Sequence, residues 1–180
     1  MNKNTIQKMI NSGHECCMAI TGGGMGAIGK LTKYGGASKF LVSAHVPYSK
    51  FAYKQFTGIS RQDDFVSLEA CKELTRTAYY NTINDSGEYL GKIGVGCTAK
   101  LRYEGERQER IHKAFIGIYF GSHRYSYYEI CMENPWTDRS GQENELSEII
   151  LSLLANTIGS KISINHVINY KTTVNKIEGT

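Results

Sequence analysis

The chain has 180 residues, 41% hydrophobic and 21% charged, a balance that suits one globular domain and excludes disordered and fibrous classes. A formal net charge of +4 mildly favours anionic ligands, yet the basic residues form no stripe of the kind a nucleic-acid surface needs. No apolar run approaches the roughly 20 residues of a membrane span, and an odd cysteine count of five without a secretory leader or a C-x-x-C pair points to a reducing, cytoplasmic setting.

Residues 3–12 read as a short amphipathic helix with Ile6, Met9 and Ile10 inward, ending near Gly13. The apolar run HECCMAI (14–20) is a buried strand feeding a loop, and Met25–Thr32 has helical spacing, stopped by Gly35 and Gly36. SKFLVSAHV (38–46) is a second strand closed by Pro47. Residues 49–56 form a short helix, and residues 67–80 a better one, capped by Ser67, with Leu68, Cys71, Leu74 and Ala78 on one face.

KIGVGCTA (92–99) is a third strand. RYEGERQER (102–110) is a charged, exposed loop. IHKAFIGIYF (111–120) and RYSYYEICM (124–132) are β-rich runs joined by a turn at Gly121-Ser122. Residues 141–158 are the clearest helix, with Leu146, Ile149, Ile150, Leu153 and Leu154 along one side. The tail, residues 161–180, alternates β-branched and polar residues and is expected as an edge strand or a mobile extension of a single domain over 1–160. Strands alternating with helices, plus one hairpin, predict an α/β fold: a three-layer, Rossmann-like sandwich around a mixed β-sheet.

The candidate chemistry gathers after the strands. The loop Thr21-Gly22-Gly23-Gly24 lies between a buried strand and a helix start, where backbone N–H groups attract phosphate or carboxylate. It is equally a tight turn, because it matches neither G-x-G-x-x-G with an acidic partner nor a P-loop. Thr21 is a nucleophile if a base takes its proton, or else a cap for the next helix. HVPYSKFAYK places His45, Tyr48, Ser49, Lys50, Tyr53 and Lys54 after the second strand, and ligands of open α/β sheets sit beyond the carboxyl ends of strands.

A tyrosine with a nearby lysine can activate a hydroxyl when burial lowers the lysine pKa; the segment also suits a solvated helix with a tyrosine packed at its base. Gly96 and Thr98 end the third strand and would form another wall of the crevice, unless Gly96 and Cys97 are small simply for packing. Cys97 has no base beside it, and Cys16 and Cys17 face opposite sides of their strand. Tyr125, Tyr127 and Tyr128 suit a half-buried strand. The five histidines have no metal-ligand spacing, so no metal is expected.

Five ordered motifs, AITGGGMGAI, GGAS, VPYS, GVGCTA and RIH, together resemble the CinA C-terminal domain family, whose enzyme members are nicotinamide-nucleotide amidases. The nearer likeness is to its branch reading approximately A-V-T-G-G-G-S-G-A-I, P-G-A-S, V-P-Y-S and G-I-G-C-T-A. Laid without a gap on the amidase pattern A-E-S-C-T-G-G, the chain puts Thr21 at the serine nucleophile.

The resemblance implies a homodimer acting on the carboxamide of nicotinamide mononucleotide or a related nucleotide, with no metal or redox cofactor. Thr21, Tyr48 and Lys54 would be catalytic; Gly22, Gly23, Gly24, Ser38, Ser49, Gly96 and Thr98 would bind substrate. The amidases' lysine aligns with Tyr53, one place before Lys54. Their final-helix arginine aligns near Gln142-Glu143, with Arg139 a little upstream. The alternatives are a nucleotide-binding sensor with the same pocket but no turnover, or hydrolysis of a different bond in a nucleotide-derived metabolite.

Overall fold

The first strand, β1 (Glu15–Thr21), pairs in parallel with β2 (Leu41–His45) on one side and with β3 (Lys92–Lys100) on the other. From β3 the sheet turns antiparallel through β4 (Lys113–Phe120), β5 (Arg124–Met132) and β6 (Thr172–Gly179), giving the order β2-β1-β3-β4-β5-β6. This is the mixed sheet expected, with the β4–β5 hairpin turning at Gly121–His123. The computed structural model describes residues 1–83, 89–103, 105, 110–133, 137–169 and 171–179. Much of the charged RYEGERQER segment therefore lies outside the described residues.

Helices cover both faces. On one face α1 (Lys3–Ile10), α2 (Gly26–Thr32) and α5 (Arg139–Thr157) bury Ile6, Leu31 and Ile150 against Met18, Ile20, Val95 and Ile116. On the other, α3 (Lys50–Thr57) and α4 (Leu68–Tyr80) pack Tyr53 and Leu74 on Cys17 and Ala19. The two adjacent cysteines of β1 thus enter different cores, as alternation along a strand requires. Each long apolar side chain removed from water contributes on the order of 1.5–3 kcal/mol, and the two layers are built largely of such residues.

The helix starts are set by short polar side chains. Ser49 Oγ accepts from the Ala52 N–H at 3.1 Å, Ser67 Oγ from Ala70 at 3.2 Å, and Asp138 Oδ1 from Gly141 at 2.7 Å, each satisfying a donor the helix itself cannot. The Asp138 cap starts α5 two residues before the expected boundary, which makes Arg139 its first residue. The burial of α5 also differs from expectation. Eleven of its residues are buried, including Gln142, Glu145, Ser147 and Ser152, because sheet, α1, α2 and the following segment enclose it rather than one face alone.

Helix α4 lies unusually close to the sheet. A Cβ on Gly94 or Gly96 would come within 2.4 or 2.5 Å of the Tyr79 or Thr75 amide nitrogen, and one on Gly117 within 2.2 Å of Thr75 Oγ1. Glycine is required along this track because backbone meets backbone. The close seat fixes the segment before α4, and Thr98 Oγ1 donates to the Phe65 carbonyl there.

Residues 172–179 form the outer strand, antiparallel to β5. The segment before it is held by Glu145, whose carboxylate accepts from the Asn169 backbone N–H and, at 3.0 Å, from its side-chain amide.

Candidate functional site

At the carboxyl ends of β1 and β3, Thr21 and Thr98 stand in register on neighbouring strands. Both belong to the alternating set that faces α3 and α4, since Ile20 and Cys97 beside them face the opposite core. Between them and the start of α3 opens a cavity of about 150 Å³. Thr21, Gly22, Tyr48, Ser49, Lys50 and Thr98 border it, with Tyr53, Phe65 and Val66 as its apolar wall. Thr21, 7% exposed, borders this opening.

The Ser49 cap places Lys50 at the first position of α3, and its ammonium lies 5.6 Å from the centre of the Phe65 ring, within cation–π range. Tyr53, one turn on, is buried; its hydroxyl donates to the Ala70 carbonyl at 3.0 Å and burial pushes it well above the ordinary phenol range. Lys54 is exposed and does not border the cavity. Lys50 and Lys54 share a face of α3, but Lys54 lies a full turn, about 6 Å, further along the helix, so among the described residues Lys50 is the lysine that borders this cavity.

Arg139 supplies a group that sequence order hides. Its Nη1 donates to the Arg102 carbonyl at 3.2 Å, and its Nη2 to the Gly22 carbonyl at 3.2 Å and to Tyr48 Oη at 3.3 Å. The planar guanidinium thereby ties the first turn of α5, the glycine loop and the loop before α3 together, a task suited to its fork of donors. Gln142 reinforces the same corner: its Oε1 accepts from the Arg102 N–H at 2.7 Å, and its Nε2 lies 3.0 Å from His112 Nδ1.

The glycines divide by task. Gly22 borders the cavity at φ +79°, where a Cβ would fall 1.9 Å from the Ala99 carbonyl oxygen. A Cβ on Gly23 would strike Leu101, and the Gly24 N–H donates to Glu143 Oε2 at 2.7 Å while Gly26 donates to Oε1 at 2.9 Å. The anion expected at the mouth of α2 is thus the chain's own Glu143. Gly23 and Gly24 do not border the cavity.

Two further expected contacts lie elsewhere. Ser38 sits in the turn before β2, at the opposite end of the parallel strands from Thr21. Gly96 is packed beneath Thr75. Cys97 is fully buried and burial pushes its thiol up, so it supplies no nucleophile. Among the described residues, no group of three His, Cys, Asp or Glu side chains converges as a metal site, and no helix is long and apolar enough to cross a membrane.

No protein-family profile matches the chain, and no curated protein matches it in sequence. Solved structures do match. A competence-damaged protein (CinA) superfamily protein from Enterobacter cloacae superposes with a TM-score of 0.69 over 87% of this chain and 89% of its own, at 13% identity.

The chain has a CinA-like fold.

The competence/damage inducible protein CihA from Agrobacterium tumefaciens superposes at TM-score 0.60, with 16% identity, over 86% of this chain and 90% of its own. A CinA superfamily protein from Escherichia coli does so at 0.62, with 15% identity, over 87% and 88%. Within the CinA-like fold of this chain, the TGGG, VPYS and GCTA segments meet around one cavity, while the GGAS segment lies away from it.

Proposed function

We propose that this CinA-like protein is an amidohydrolase that acts on the carboxamide of nicotinamide mononucleotide or a related nucleotide. What supports the reading is the meeting, around one small cavity, of a hydroxyl at a strand end (Thr21), an amine (Lys50) and a phenol oriented by arginine (Tyr48 with Arg139). At about 150 Å³ the cavity is below the ~300 Å³ at which whole-ligand pockets begin. It suits the carboxamide-bearing ring alone, with sugar and phosphate outside.

In the proposed reaction Thr21 Oγ attacks the carboxamide carbon. The threonyl C–O bond forms, the C–N bond breaks, and ammonia leaves carrying the proton that the threonine releases. Lys50 and Tyr48 relay that proton. The oxyanion falls to the Gly22 amide and Lys50, since the Gly24 amide is engaged by Glu143. Water then attacks the ester, releases the acid and restores Thr21.

That engaged amide favours one other reading, a sensor that holds the nucleotide without turnover. Mass spectrometry on the protein mixed with pyridine and purine nucleotides tests both. Conversion of nicotinamide mononucleotide to its acid, lost in Thr21→Ala, supports the hydrolase. Ligand retained after buffer exchange, with no product in either protein, supports the sensor.

A further inference from the structure

Strand β2 forms one edge of the sheet. Its inner side is bonded to β1, and no backbone group of the described residues bonds its outer side. Ser43 Oγ donates to Cys17 Sγ at 3.1 Å and the His45 ring lies 4.8 Å from that of Phe56, so both side chains point toward α3. Val42, Ala44 and Val46 point the other way and are exposed, the two valines by 48% and 47%.

Edge strands are commonly guarded by a charge or a proline. The opposite edge follows that rule, with Lys176 and Glu178 in β6. The run Leu41–Val46 holds no Lys, Arg, Asp, Glu or Pro, and its one irregular step, between Leu41 and Ser43, leaves Ser43–His45 in regular register.

A second copy of the same strand fits this uncharged edge better than a charged partner would. Antiparallel pairing about a two-fold axis at Ala44 is self-complementary. It opposes Val42 to Val46 and Ser43 to His45, joins the exposed valines in one apolar row and sets no like charges face to face. Five residues of strand fall short of the ~1,000 Å² of a stable interface, so the contact has to continue past Val46. There this copy runs on through Pro47, Tyr48 and Ser49, which border the cavity. Past Val42 the other copy runs back, over three residues or roughly 10 Å, to Lys39 and the turn Ala37–Lys39. The GGAS segment, held at the far end of its own strands, is thereby carried to the cavity of the other copy, and its Ser38 and the adjoining Lys39 are both exposed.

We infer that two copies pair through β2 and complete each other's cavity, the partner's Lys39 and the partner's Ser38 holding the phosphate of the bound nucleotide. The inference rests on the carboxamide-nucleotide reading for the ligand, while the pairing is argued from the edge alone. A cavity that takes only the carboxamide ring leaves the phosphate outside, and an ammonium beside a hydroxyl suits a phosphate monoester.

Sedimentation velocity on the full chain tests the pairing. Calorimetric titration with nicotinamide mononucleotide, nicotinamide riboside and ribose 5-phosphate tests the phosphate contact. The wild type should sediment as a dimer and bind the mononucleotide about tenfold more tightly than the riboside. Lys39→Ala should remain dimeric and lose that advantage, with riboside binding unchanged. Ala44→Arg, which sets two guanidinium groups together on the axis, should sediment as a monomer and lose the same advantage. Circular dichroism checks its fold, and Val46→Lys serves if it does not fold. An equimolar mixture of Lys39→Ala with Lys50→Ala, whose cavity is disabled but whose Lys39 is intact, should recover tight sites that neither variant has alone.

Ribose 5-phosphate, which lacks the carboxamide, should bind the wild type and weaken in Lys39→Ala. That result with no conversion of the mononucleotide would uphold the shared site and defeat the hydrolase. A monomeric wild type, or a phosphate advantage that survives Lys39→Ala, would overturn the shared site and leave the hydrolase standing.

Discussion

Removing the Glu143 carboxylate should destabilise the protein far more than an acidic residue on a helix usually does. Its two oxygens accept from the Gly24 and Gly26 amides at 2.7 and 2.9 Å, and each charge-assisted bond is worth roughly 1.5–3 kcal/mol. In Glu143→Ala both amides lose their acceptor. Because the site is only half-buried, water recovers part of the loss, leaving about 2–4 kcal/mol. For a chain of this size that lowers Tm by roughly 4–16 °C.

Glu143→Gln keeps one carbonyl acceptor but turns an NH2 group toward the other amide, so it should recover no more than half. Asn144→Ala, exposed and adjacent, is the control and should be neutral. Urea unfolding at pH 7 and moderate salt measures all three. A Glu143→Ala protein within about 0.5 kcal/mol of wild type, the scatter of ordinary surface changes, would refute the claim that the carboxylate holds this loop.

Gly22→Ala should cost more than about 3 kcal/mol, because its Cβ would meet the Ala99 carbonyl at 1.9 Å in a left-handed conformation; Gly29→Ala, with open space in the middle of α2, should instead stabilise by about 0.5–1 kcal/mol. Thermal denaturation separates the two. Arg139→Lys should weaken retention of whichever nucleotide binds by about tenfold, since an ammonium cannot reach three acceptors at once; equal binding in titration would argue against the clamp. For Glu148, burial alone would raise the carboxyl, but hydrogen bonds and charges from Lys30 and the Met1 amino group prevail and hold it below its ordinary value of 4.5. It therefore contributes stability that is full above pH 4.5 and is lost as pH falls through its lower folded-state value. Glu148→Gln should flatten that part of the acid unfolding curve.

The elements were legible because an apolar run ended by glycine marks β1 and a run of small and apolar residues marks β3, both buried on both faces, and 3.6 spacing marks α4. Ser67 marked a helix start because its hydroxyl serves a local purpose; the same role of Ser49 was hidden behind its reading as a substrate contact. The site was legible only where strand ends dictate it. Thr21 and Thr98 follow from parallel neighbours, but Lys50 was passed over for Lys54 because alignment by number ignores that a residue one turn further along the helix lies beyond the cavity.

The acidic Glu143 reads in sequence as a solvated helix position, and nothing local reveals a partner 119 residues earlier. The same holds for Arg139 and Tyr48, 91 residues apart. The smallness of Gly96 has two possible causes, a ligand or a helix, and only the close seat of α4 decides between them.

The first two turns of α5 reach into three distant stretches of backbone. Glu143 holds the Gly24 amide, Gln142 the Arg102 amide and Glu145 the Asn169 amide, with the three acceptors spread around one helix end. Fraying of that end would release all three together. In native-state hydrogen exchange these amides, far apart in the chain, should open with a common free energy and form one cooperative unit. Such a unit would join the glycine loop, the Arg102 segment and the final strand, so a ligand that orders any one of them would slow exchange at the other two.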